Sequence, residues 1–102
     1  MRAPQDCKTM AELRLAIDAL DQNLIDLLAQ RAAYIDRAAV LKTGDGLPAR
    51  IGSRVEEVVT NVRRCAGGRG LDPDLAEELW RKLIDWSISR EEKILGPSVP
   101  AD

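Results

Sequence analysis

The chain has no histidine and no phenylalanine. Without an imidazole, Ser-His and Cys-His nucleophilic mechanisms have no base within this chain. Any general acid or base must then be Asp, Glu, Lys, Tyr or Cys. The only two cysteines, Cys7 and Cys65, stand far apart with no C-x-x-C spacing, so neither a zinc site nor a disulfide framework is expected. One Tyr and two Trp leave a core built from Leu, Ile, Val and Ala. No run of about 18 apolar residues occurs, and the opening MRAPQDCKTMAEL lacks an apolar h-region. The expectation is a soluble, cytoplasmic protein. A basic surplus is missing too: 15 Lys and Arg against 17 Asp and Glu leave a net charge of −2, which argues against a nucleic-acid partner.

What remains is a chain of 102 residues, 45% hydrophobic and 31% charged, read as a single all-α domain over 1–102. Thr9-Met10-Ala11-Glu12 matches a capping box, and no Gly or Pro follows before Lys42. A first helix over about 10–43 is expected, ended by TGDGLP with Gly44 as its C-cap. A second box, Ser53-Arg54-Val55-Glu56, opens a helix over about 51–67 that GGRG terminates. Asp72-Pro73 starts a third over about 72–95, followed by a tail at 96–102. Positions 13, 17, 20, 24, 27, 31, 34, 38 and 41 of the first helix keep four-three spacing, and all are apolar or Tyr except Arg31. That helix would be roughly 50 Å long, more than two shorter helices can cover. An intertwined homodimer, burying the uncovered seam against a second copy, is the expected remedy.

Charges on these helices fall into a pattern. Arg31 and Lys42 return to within about 20° of the same face, separated by about 16 Å of axis. Arg14 lies about 100° round and some 25 Å away from Arg31. It cannot share a ligand with Arg31 on one helix, but it can in an antiparallel dimer. Glu91 interrupts the apolar row Ile84, Ile88, Leu95, with Ser87 one turn earlier, and Arg54 opens the second helix. Three arginines, a lysine and one inward carboxyl in a protein of negative net charge suggest a small polyanion, most simply a dicarboxylate.

Each residue also has a plainer reading. Arg31 alone snorkels from the seam or pairs with Asp18 or Asp26. Arg14 and Arg54 alone are solvated surface charges, and Lys42 is a helix C-terminal cation. Glu91 alone pairs with Arg90 or Lys93, or frays with the helix end. Cys7, Cys65, Trp80 and Trp86 are read as packing residues. Spacing by itself therefore stops at a helical dimer with an anion pocket.

The same segments resemble a known family. PQDCKTMAELRLAIDALDQNLIDLLAQRAAYIDRAAVLK is similar to the first helix of the all-helical (AroQ-class) chorismate mutases and the related isochorismate pyruvate lyase. LPARIGSRVEE and LWRKLIDWSISREEKIL resemble the segments that follow, so the likeness covers about residues 4–95. It implies substrate-binding roles for Arg14 (from the partner chain), Arg31, Arg54 and Ser87, and catalytic roles for Lys42 and Glu91. The implied reaction is the pericyclic rearrangement of chorismate to prephenate, in aromatic amino acid biosynthesis, with no metal, cofactor or covalent intermediate. Arg14 and Arg31 would clamp carboxylates, and Lys42 would donate to the ether oxygen as its bond breaks.

Three positions depart from the family pattern. Glu91 stands where many mutases carry glutamine; ionised it only accepts, protonated it donates, so mildly acidic pH is expected to favour catalysis. Ile51 and Val55 replace an acidic pair near the ring hydroxyl, which favours the lyase. Ser87 favours the mutase, because the lyase is aromatic there. Isochorismate, an aminated chorismate, or a non-catalytic dimer that retains the fold are the alternatives.

Overall fold

A computed structural model of the chain describes residues 3–98. The last tail residues, 99–102, and with them Pro100, lie outside the described residues. The elements are a short 3-10 turn at Pro4–Asp6 and three helices: α1 (Met10–Asp45), α2 (Gly52–Gly68) and α3 (Pro73–Leu95). Among the described residues there is no strand, and no helix is long and apolar enough to cross a membrane. The chain divides into two compact units between Ala33 and Tyr34, within α1.

In the first unit, α1 begins where its polar residues satisfy the free amides of its first turn. Thr9 Oγ1 accepts from Glu12 N–H at 3.1 Å, and the Glu12 carboxylate accepts from Lys8 N–H at 2.7 Å. Beyond the cap the apolar residues find little cover. Ile17, Leu20, Leu24 and Leu27 of the four-three seam are 46–59% exposed in the single chain. Along all of α1 only Ala39 is buried.

The second unit holds the end of α1 with α2 and α3. Asp72 caps α3, its side chain accepting from Asp74 N–H at 2.9 Å, with Pro73 at the first helical position. Val59 of α2 and Ile84 and Ile88 of α3 form the core with Ala49 of the α1–α2 loop, and Val55, Val58 and Leu95 pack around it. The inward row of α3 is thus the one through Ile84, Ile88 and Glu91. Leu79 and Trp86, which lie off this row, are half exposed, and Cys65 is exposed, so Trp86 and Cys65 are not packing residues in the single chain.

Two helix ends differ from the sequence reading. α1 runs through Gly44, and Gly46, not Gly44, takes the left-handed conformation, with φ of 68°. Leu47 N–H reaches back to Lys42 O at 2.9 Å and Gly46 N–H to Thr43 O at 3.4 Å, the paired bonds of a Schellman turn. The same turn closes α2 at Gly70, with Leu71 N–H bonded to Ala66 O. α2 begins at Gly52, ahead of Ser53. Ile51 is its N-cap and makes no side-chain capping bond. Its carbonyl instead accepts from both Arg54 and Val55 N–H, so the helix starts before the serine can serve as cap.

Candidate active site

The Schellman turn at Gly46 sends the loop back along the last turn of α1, and there it meets Lys42. The Lys42 ammonium donates to Ala49 O at 2.7 Å. It also lies 2.7 Å from Glu91 Oε1, across from α3, in an ammonium–carboxylate pair whose side chains are 21% and 5% exposed. The two charges meet side-on: the distance is that of an ion pair, yet the angles leave Oε1 a buried acceptor without a directed hydrogen bond. At this separation the two charges attract strongly, because charge attraction depends little on angle. The structure therefore brings together the two residues assigned catalytic roles from the sequence.

Glu91 is one of two buried polar residues among those described, and Ser87 is the other. Ser87 lies one helical turn earlier, its hydroxyl donating to Leu83 O at 2.7 Å. Both sit on the row of α3 that carries Ile84 and Ile88. A carboxylate there loses hydration that the lysine only partly replaces, and a well-packed apolar side chain would usually cost less.

The other predicted residues stand differently. Arg54 is exposed, its guanidinium paired with Glu57 one turn along α2 rather than turned inward. In the first unit, Arg14 is exposed and Arg31 is half-buried on α1. Ile51 and Val55 are half-buried, and Val55 packs against the core.

The chorismate mutase type II family matches residues 13–92, a span that holds every one of these positions. The chain belongs to that family. Among its relatives, the isochorismate pyruvate lyase of Pseudomonas aeruginosa is 32% identical over 94 residues, covering 91% of each chain. The T-protein of Enterobacter agglomerans is 32% identical over 82 residues, which are 80% of this chain but only 22% of that protein. A chorismate mutase of Methanocaldococcus jannaschii is 22% identical over 86 residues, 84% of this chain and 87% of that one. The likenesses that cover most of both chains thus include both an isochorismate pyruvate lyase and a chorismate mutase.

Sequence reasoning missed several contacts around the Lys42–Glu91 pair. Arg90, next to Glu91, clasps Asp36 of α1 through two nitrogens at 2.5 and 3.0 Å and lies 5.3 Å over the Trp86 ring. That hydrogen-bonded guanidinium holds the Asp36 carboxyl below its usual range. The Arg90–Asp36 clasp and the Lys42–Glu91 pair therefore join the same two helices, α1 and α3. The Ala49 carbonyl could not have been read from residue types, because any residue supplies one. A cavity of about 170 Å³, lined by apolar atoms of Val62, Cys65, Ala66, Leu71, Ala76 and Trp80, opens between the end of α2 and the start of α3. It contains none of the predicted site residues.

Proposed function

We propose that the chain is a chorismate mutase, converting chorismate to prephenate at a site centred on Lys42 and Glu91. The buried ammonium–carboxylate pair beside an apolar core is the observation that carries this reading. In this rearrangement the ether C–O bond breaks as a C–C bond forms, with no redox change and no obligatory proton transfer. The protein must hold the substrate folded and stabilise negative charge on the ether oxygen. Lys42 supplies that charge; a lysine carries three N–H donors and the Ala49 carbonyl engages one. The absence of histidine is no handicap to such a reaction.

Arg31 and a partner's Arg14 would hold the substrate carboxylates, in a homodimer built on α1. The exposure of Ile17, Leu20, Leu24 and Leu27 supports that assembly, since an apolar seam of this length is costly in water. Arg54 would have to leave Glu57 to join the site, a small change for an exposed pair.

The lyase reading is the second one, favoured by the relative that matches 91% of both chains and by the apolar Ile51 and Val55. Incubating the purified protein with chorismate and with isochorismate, and identifying prephenate, salicylate or pyruvate, separates the two. Turnover of neither at neutral and mildly acidic pH would leave a non-catalytic dimer. Arg31→Ala is expected to abolish whichever activity exists while helicity and dimerisation persist; a collapse of folding would make Arg31 structural.

A further inference from the structure

The Ala49 carbonyl that receives Lys42 belongs to the same peptide group as the Arg50 N–H. That group is planar, and in its trans form the C=O and N–H point in opposite directions. Whatever holds the N–H therefore aims the carbonyl. In this protein the Arg50 N–H donates to the hydroxyl of Ser98, at 3.0 Å. Ser98 comes from the tail, remote in sequence, and is itself fixed: its own N–H donates to Glu92 Oε2 at 2.7 Å. Gly96, with φ of 82°, turns the tail back so that this contact can form, and its N–H still closes α3 on Glu92 O at 2.8 Å. The Ser98 bonds hold the Glu92 carboxyl below its usual range.

These contacts form a circuit. It runs from Glu92 to Ser98, through the Ala49–Arg50 peptide to Lys42, and ends on Glu91, the neighbour of Glu92 in α3. A hydrogen bond donated by a peptide N–H also polarises its carbonyl, making it a better acceptor for the ammonium. Arg50 has a second tether, Nη2 to Asp85 at 3.0 Å, but both side chains are largely exposed and a flexible surface pair constrains a peptide plane poorly.

We propose that Ser98 is a positioning residue: by fixing the Ala49–Arg50 peptide plane, its hydroxyl directs the Lys42 ammonium at the site. This rests on the reading of Lys42 as the group that donates to substrate. Loss of the hydroxyl leaves the peptide free to rotate, and Lys42 then loses direction while keeping its charge. An interaction realised in the transition state is weakened, so the effect falls on kcat more than on KM.

Full-length Ser98→Ala and Ser98→Thr decide the matter, assayed well below their melting temperatures. Ser98→Ala is expected to lower kcat about tenfold, short of the roughly hundredfold that removing a donor outright costs. KM should stay within about twofold and Tm nearly unchanged, and Ser98→Thr should restore kcat because it returns the hydroxyl. Hydrogen exchange of the Arg50 amide, read by NMR without ligand, should quicken in the alanine variant and slow again in the threonine variant. A wild-type kcat in Ser98→Ala overturns the proposal, as does an equal loss in Ser98→Thr or an Arg50 amide that exchanges alike in all three proteins. If the wild type turns over neither substrate, the functional reading fails first, and the amide exchange alone still tells whether Ser98 holds the peptide.

Discussion

The two ends of the α2–α3 pair are both rich in charge, but they use it in opposite ways. Toward the start of α3, Arg63 pairs with Asp74 and Glu77, and Arg81 pairs with Glu77 and Glu56. Most of these side chains are well exposed, so each pair is screened by water and salt, and together they do no more than tie α2 to α3. Toward the end of α3, beside the exposed pairs Arg90–Asp36 and Arg50–Asp85, the Lys42–Glu91 pair sits against the aliphatic core with its carboxyl almost fully buried. Surface networks cost little to build and little to lose. A buried pair is costly to build, and a well-packed apolar side chain would usually cost less.

The sharpest way to break this contrast is to remove the buried cation. Lys42→Ala is expected to lower kcat by about 10²–10³-fold, as loss of a transition-state donor does. It should also destabilise the fold by about 3 kcal/mol, because Glu91 is left buried without its partner. Steady-state kinetics and urea denaturation measure the two effects; a fully active variant would return the pair to a structural role.

The two Schellman turns offer a matched control. Gly46→Ala and Gly70→Ala each force a side chain into a positive φ with open space around it, so only backbone strain is added. Each should cost about 1–2 kcal/mol in denaturation. Only Gly46→Ala should also reduce kcat, since its turn returns the loop to Lys42. Equal effects on activity would erase the distinction between the two ends.

Acid should reveal the surface network. The Arg81 guanidinium, bonded to Glu77, holds that carboxyl below its ordinary 4.5 against the opposing effect of burial, and Arg63 adds to the lowering. A carboxyl depressed on folding contributes stability that is present above its unfolded value and is lost as pH falls through the folded one. Tm should therefore be level from neutrality to about pH 5 and fall below it, and Glu77→Gln should show a shallower acid decline. Identical declines would mean the network contributes nothing. The smallest effect belongs to Arg81→Gln at neutral pH: a slight fall in Tm that fades with added salt, with kcat unchanged.

Much of the fold was legible because it is local. The caps at Thr9 and Asp72 follow from side chains satisfying free amides one turn away, and the glycine breaks follow from backbone freedom. The inward aim of Glu91 was legible for the same reason, since a 3.6-residue period places it in line with Ile84 and Ile88. Errors arose where a local signal met a competing contact. Ser53 looked like a cap, but the Ile51 carbonyl starts α2 earlier. Arg54, expected to face a ligand, pairs with Glu57 one turn along α2.

By itself, then, the sequence determined three helices, their main start and stop signals, membership of a helical family and the inward row that carries Glu91, because periodicity and capping act within a few residues. Tertiary structure alone decided that Lys42 meets Glu91, that the Ala49 carbonyl shares the ammonium, and that Ser98 grips the other side of that peptide. Those contacts join residues remote along the chain. Their partners are in part backbone atoms that every residue possesses, so no pattern of residue types could have marked them in advance.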